Sequence, residues 1–261
     1  MRDCREEWFD PELRVAATFV DVTSAAQALA RGHLCGPTAA WALSRALAAV
    51  ALLGAETGEA DETVSVQMKC DGPLGGFNVE CTAAGTLRGY TERKTLDEFD
   101  AAGRPDWRRL VGAAQYQVTR SVPGRILSQG ISGSLDGYLA GSLQRKAVIF
   151  TEAAVSAEVE ILEARGALVE ELPDGRDTGV LGVKPGSLAV ASRTLLRRFA
   201  LARAGLRRTT PLAFACRCSP ERAVAMLNAL PDAERRTLPP AVDVTCHMCG
   251  RTFTVPTGAV A

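Results

Sequence analysis

The chain is expected to fold as α+β: a core domain of antiparallel sheet and helix, a helical linker, and a small C-terminal metal-binding domain. Three observations carry this expectation. Apolar helical runs open the chain, between residues 22 and 57. Segments of alternating polarity, separated by glycine-rich turns, then follow from Thr63 onward, as in an antiparallel meander. Finally, two cysteine pairs, Cys216-x-Cys218 and Cys246-x-x-Cys249, crowd the last quarter.

Length and composition set the bounds. The 261 residues suffice for one large domain or two smaller ones. A 47% apolar and 23% charged composition is that of an ordinary globular chain. Thirty basic residues balance thirty acidic ones, so no global field recruits nucleic acid or an anionic membrane. The opening Met1-Arg-Asp-Cys-Arg-Glu-Glu-Trp8 lacks the apolar run of a signal peptide. The apolar stretch around Ala46–Leu53 is too short and alanine-rich to span a bilayer. A cytoplasmic location is therefore expected, where thiols stay reduced and clustered cysteines mean metal binding or redox sensing.

Along the chain, Thr23 and Ser24 are placed to cap a first helix, and Gly36-Pro37-Thr38 opens a second that is apolar nearly all round. From Thr63 the period becomes two: Val64, Val66 and Met68 alternate with Ser65, Gln67 and Lys69. Turns at Asp71-Gly72-Pro73 and Gly75-Gly76 lead to strands at Phe77–Cys81 and Thr86–Tyr90, then at Gln115–Thr119 and Arg125–Leu127. Residues 134–144 read as helix and Ala147–Phe150 as strand. This core is assigned to residues 1–175. Residues 176–210 read as a linker with a basic helix carrying Arg193, Arg197, Arg198, Arg203, Arg207 and Arg208. The acidic stretch from Glu158 to Asp174 offers that helix an intramolecular partner.

Residues 211–261 form the C-terminal domain. Ser219 caps a helix with Pro220 and Glu221 in its first turn, which places a helix amino terminus beside Cys216 and Cys218. Val242 and Val244 alternate into Cys246, and Phe253 and Val255 alternate out of Gly250, giving a hairpin with cysteines at its tip. Twenty-seven residues lie between the pairs. Cys216, Cys218, Cys246 and Cys249 are thus candidate ligands of one Zn2+ per chain in a closed all-sulfur tetrahedral site; an iron centre draws on the same donors. So small a domain gains most of its fold from the metal, about 10–16 kcal/mol of apparent binding free energy for zinc. Four sulfurs complete the shell, which leaves His247 a solvent-facing spacer. Arg217 and Arg251 favour the thiolate form that oxidants attack. Cys4, Cys35, Cys70 and Cys81 stand singly among apolar or small residues and read as inert.

The chain resembles the 33 kDa heat-shock chaperonins over most of its length. The matching pieces are His33 ahead of an alanine-rich helix, Gln67-Met-Lys-Cys-Asp-Gly-Pro-Leu-Gly-Gly76, Gly85-Thr-Leu-Arg-Gly-Tyr90, Leu110-Val-Gly112 with Val118-Thr119, and Ser142-Leu-Gln144. Cys216-Arg-Cys-Ser-Pro-Glu-Arg222 and Val244-Thr-Cys-His-Met-Cys-Gly250 complete them. The resemblance implies a redox-regulated, ATP-independent holdase. Reduced, it holds zinc through the four thiolates and is inactive. Oxidised, it forms two disulfides, for which Cys216–Cys218 and Cys246–Cys249 are the expected pairs, releases the zinc, unfolds tail and linker, and binds unfolded client proteins, usually as a homodimer. Two departures stand out: a short, arginine-rich linker, and Arg165-Gly166 where the family carries a glycine pair.

Other functions find less support. No G-x-S-x-G, G-x-x-x-x-G-K or H-E-x-x-H occurs, and His33 and His247 are the only imidazoles, so no enzyme is expected. A thiol-disulfide oxidoreductase at Cys246 and Cys249 would need a thioredoxin-like βαβ pattern around them. The alternative is a constitutive zinc-ribbon adapter or nucleic-acid-binding protein. Residues 211–261 hold five arginines against four acids, which lacks the basic footprint of such binding.

Overall fold

A computed structural model describes all residues except 1–2, 103–104, 174, 176 and 260–261. Asp174, named above in the acidic stretch, lies outside the described residues. The chain opens with two strands, β1 (Cys4–Asp10) and β2 (Val15–Asp21), and two helices, α1 (Thr23–Gly32) and α2 (Pro37–Leu53). The meander follows as β3 (Thr63–Cys70), β4 (Gly76–Thr82) and β5 (Thr86–Thr91). Short helices α3 (Asp97–Ala102) and α4 (Trp107–Val111) lead to β6 (Ala114–Val122) and β7 (Arg125–Ser132). Helix α5 (Leu135–Gly141) precedes the long hairpin β8 (Lys146–Val155) and β9 (Ile161–Glu171). Then come α6 (Ser192–Arg198), β10 (Gly205–Pro211) and β11 (Ala213–Phe214). The tail holds α7 (Pro220–Asn228), α8 (Asp232–Arg235) and the hairpin β12 (Ala241–Thr245) and β13 (Thr252–Pro256). The mixed α+β class expected from the sequence is the one observed.

Two sheets sandwich α2. One has five strands in the order β10-β1-β2-β9-β8, the other six in the order β11-β5-β4-β3-β6-β7. Fourteen of the seventeen α2 residues are buried, because β8 and β9 cover one side and β4 and β5 the other. An all-round apolar helix is what such a position requires. The six-stranded sheet turns Val64, Val66, Met68, Phe77, Val79 and Leu87 into this core. The odd or even neighbours, among them Glu80, Arg88 and Tyr90, therefore stand on its outer face. Gly166 of β9 leaves room for Leu52 of α2, whose Cδ1 would lie 2.9 Å from an added Cβ.

The five-stranded sheet is apolar on both faces. Val20 and Leu168 point to α2, while Trp8, Ala17, Phe19, Ala167 and Val169 point the other way into a second cluster. Residues 180–204 cover that second face with Val180, Leu188, Leu195, Leu196, Phe199 and Leu201.

Three expectations need correction. The cap of α1 comes from neither Thr23 nor Ser24: the N–H groups of Ser24 and Ala25 donate to the Asp3 carboxylate (2.9 and 2.7 Å), and that of Thr23 donates to Asp21 (3.1 Å). A carboxylate, here from Asp3 just ahead of β1, is a stronger acceptor than a helix's own hydroxyl. The basic helix ends at Arg198; Arg207 and Arg208 sit on β10, where Arg208 pairs with Glu7 of β1 and Arg207 is the extra residue of a bulge. The arginines also find other partners than the 158–174 stretch. Arg203 pairs with Glu12 (2.7 Å), Arg208 with Glu7 (2.8 Å), and Arg193 and Arg207 lie over Trp8 and Phe9.

Candidate metal centre

The two cysteine turns are built differently. Strand β11 runs parallel to β5, with Ala213 N–H donating to Gly85 O and Ala215 N–H to Leu87 O, and so carries Cys216 to the edge of the six-stranded sheet. Cys216-Arg-Cys218 then enters α7, whose first turn Ser219 caps by accepting from Arg222 N–H at 3.3 Å, as expected. The second turn closes the β12–β13 hairpin. Cys246 N–H donates to Arg251 O (2.8 Å) and Gly250 N–H to Cys246 O (2.8 Å), with Gly250 in the left-handed region at φ 75°. Among the described residues only Ala223, Leu227 and Val255 are buried between α7 and the hairpin, too small a core to hold the tail without a metal.

The four sulfurs of Cys216, Cys218, Cys246 and Cys249 converge within 4.8 Å of one another. Cys216 and Cys246 stand 3.7 Å apart, Cys218 and Cys249 3.5 Å. A tetrahedron with Zn–S bonds of about 2.3 Å has edges of about 3.8 Å, so the donor set fits zinc. Its electrostatics fit a cation as well. Burial opposes ionisation of Cys216, but the Cys218 N–H and thiol, the Cys249 thiol and Arg88 outweigh it and bring the thiol down to about 7. Burial pushes Cys218 and Cys249 up; the Cys216 and Cys246 sulfurs add to this at both, while the Cys249 thiol draws Cys218 back down in part. One thiolate forms readily, and further thiolates beside it call for a cation between them.

Arg88, on β5, is the residue that the sequence reading missed. Its Nη1 reaches Cys216 Sγ at 4.0 Å while its Nη2 pairs with Glu80 at 2.6 Å. Arg217, the expected neighbour, instead faces Glu80 at 3.8 Å. The signal was an R-G-Y motif whose arginine points out of an otherwise alternating strand. His247 is exposed, as expected of a spacer, and its ring meets Tyr90 edge-on with centroids 6.0 Å apart.

The knuckle 246–250 seats on the core through glycines. Gly89 N–H donates to Met248 O at 3.0 Å. A Cβ on Gly32 would stand 2.6 Å from Cys249 O, and one on Gly250 would stand 2.0 Å from Gly32 O. Beneath them His33 donates from Nε2 to Gly89 O at 2.9 Å. Burial, with Lys94 nearby, holds the His33 ring below the usual imidazole range. The remaining cysteines, Cys4, Cys35, Cys70 and Cys81, are unpaired, and burial raises each thiol, Cys81 to about 11. That suits the inert reading.

Comparison with known proteins follows the same outline. The sequence model of the family described as "Hsp33 protein" matches residues 9–256. A 33 kDa chaperonin of Thermus thermophilus is 28% identical over 93% of this chain and 80% of its own length. One of Lacticaseibacillus paracasei is also 28% identical, over 94% and 91%. The crystal structure of the 33 kDa chaperonin of Thermotoga maritima superposes with a TM-score of 0.85 at 17% identity, covering 100% of this chain and 97% of that one, and so shares the fold. The chain belongs to the Hsp33 family, whose curated members are named 33 kDa chaperonins.

Proposed function

We propose that this chain is a redox-regulated, ATP-independent holdase of the cytoplasm, without enzymatic activity, and that residues 180–204 are the element it releases. One observation carries the reading: an apolar sheet face of the core is covered by a segment whose continuation leads directly to the four-cysteine site. Cys216, Cys218, Cys246 and Cys249 would hold one zinc ion, which supplies the cross-link that folds the tail.

The chain's own residues do the rest. Oxidation of the four thiols to two disulfides passes four electrons and four protons to a peroxide-class oxidant and removes every metal donor. We assign the pairs Cys216–Cys218 and Cys246–Cys249. All four sulfurs are near enough to choose otherwise, but each of these pairs shares one short turn, which stays together as the tail loosens. Loss of the tail would peel β11 from β5 and then β10 from β1, with the Leu212 N–H to Asp3 O bond as the link where the chain crosses from one sheet to the other. The covering segment follows, and Trp8, Phe19, Ala167 and Val169 with Leu195, Leu196 and Phe199 become an apolar surface for unfolded proteins. The boundaries 1–175, 176–210 and 211–261 describe this division of labour, with homodimers expected in the oxidised state.

The reading is tested by zinc content and client protection together. Cys246→Ser should lose most of the zinc and become sensitive to protease after residue 176. Oxidised wild type should suppress aggregation of a thermally unfolding client without ATP, and the reduced metal-bound form should do so weakly. Full zinc retention by the variant, or equal activity in both redox states, would refute the site or the switch respectively.

A further inference from the structure

Strand β10 is held by its backbone and hardly at all by its side chains. It is the edge of the five-stranded sheet, paired antiparallel with β1 from Cys4↔Pro211 to Phe9↔Gly205. Six of its seven residues are exposed and only Thr210 is half-buried. Its neighbour differs: Arg5, Trp8 and Asp10 of β1 are all buried. A strand that contributes a ladder of main-chain hydrogen bonds and little packing is replaceable by any chain able to lie extended.

The few side-chain contacts across this edge define what else fits it. Leu206 stands opposite Trp8, Arg208 pairs with Glu7 at 2.8 Å, and Arg207 lies 5.3 Å above the ring of Phe9. Glu6, Glu7 and Asp10 make the β1 strand acidic, and β10 answers with two arginines and no acid. Strand β1 carries no proline and no lysine, the residues that commonly guard an edge against pairing. With three acids to the single Arg5, a second copy offering its own β1 would bring net negative charge against net negative charge, which cross-strand pairing disfavours.

We propose that β1, once β10 has left it, is a docking strand for unfolded clients: an extended segment adds to its edge in β10's place. The segment favoured is apolar and basic, with an apolar side chain opposite Trp8 and a cation opposite Glu7. This rests on the release of β10 proposed above and names where and how the client is then held. Main-chain recognition suits a holdase, since every unfolded chain carries the same backbone, and the adjoining apolar face binds the flanking side chains.

Amide hydrogen exchange on the full chain tests it. Those β1 amides that donate to β10 should be protected in the reduced metal-bound protein, lose at least about tenfold in protection on oxidation, and regain it when a permanently unfolded carboxymethylated protein is added, while the alternate amides that face β2 stay protected throughout. A peptide of residues 204–213 should compete with that client. The same peptide with alternate amides N-methylated, or with both Arg207→Glu and Arg208→Glu, should compete at least about tenfold worse. The proposal is overturned if the β10-facing amides of β1 stay unprotected while client is bound, or if the N-methylated peptide competes equally. Protection that returns without client as the protein is concentrated would assign the edge to a second copy and also overturn it. Aggregation suppression in the same oxidised sample scores the switch separately: suppression with β1 open refutes only the docking strand, and no suppression with no client bound refutes both.

Discussion

Gly32→Ala isolates the seat of the cysteine knuckle from the cysteines themselves. Gly32 ends α1 with helical geometry around it, so alanine there favours the helix locally, by up to about 1 kcal/mol. That gain is present whether or not the knuckle is seated and drops out of the seating equilibrium. The new methyl does not drop out. It would stand 2.6 Å from Cys249 O, about 1 Å inside ordinary contact. The obstacle is backbone rather than a side-chain end, and the knuckle is pinned there by Gly89 N–H to Met248 O. Overpacking of this kind costs about 1–3 kcal/mol, which weakens seating by about 5- to 150-fold. Amide exchange at Gly89 and residues 246–250 in the reduced metal-bound protein measures it, with Arg31→Ala as the neighbouring control. Thiol oxidation by peroxide should accelerate by a similar factor if oxidants reach the unseated state. Exchange at Gly89 unchanged within about twofold, smaller than the 1 kcal/mol minimum, would refute the reasoning.

Three further expectations concern the segment over the sheet and the ring beneath the knuckle. Arg165 donates through Nη1 to Leu188 O and Val190 O (3.2 Å each) and pairs with Asp21 at 3.3 Å. Arg165→Ala should therefore loosen residues 187–190 by about 3–6 kcal/mol, two charge-assisted hydrogen bonds, and give client binding in the reduced state; Arg165→Lys should restore it only in part, and reduced-state inactivity of the alanine variant would count against the clamp. Activation should respond little to chloride concentration, because Arg203–Glu12 is exposed and Arg208–Glu7 half-exposed, together about 1 kcal/mol or less, while the rest is apolar; a steep salt dependence of the oxidation-triggered activity would restore the electrostatic linker expected from sequence. Burial holds the His33 pKa below the ordinary value of about 6.5, so the unseated state takes up a proton first as the pH falls. Seating should be at full strength above about pH 6.5 and weaken below it until the seated ring also titrates; His33→Gln, measured by the same Gly89 exchange, should flatten that part of the profile.

What the sequence by itself determined is what short-range chemistry controls. The Cys216, Cys218, Cys246 and Cys249 set is legible because each ligand pair lies on one local turn and metal geometry tolerates few spacings. The Ser219 cap, the β12–β13 hairpin and the all-round apolar α2 are likewise properties of a dozen neighbouring residues. Partners distant in the chain decided the rest. Strand β2 went unread because both its faces are buried, which erases the alternation a strand is recognised by. Arg207 and Arg208 have good helix propensity, yet their strand lies extended because β1, some two hundred residues earlier, offers unpaired backbone to Arg208 and to the residues on either side of the bulge at Arg207, which outweighs a few tenths of a kcal/mol per residue. The contact of Arg88 with Cys216 and the seat of Gly32, Gly89 and Gly250 depend on where a tail folded around its own metal comes to rest on the core. No local pattern encodes that position, since it arises from the fit of two surfaces that exist only after each part has folded.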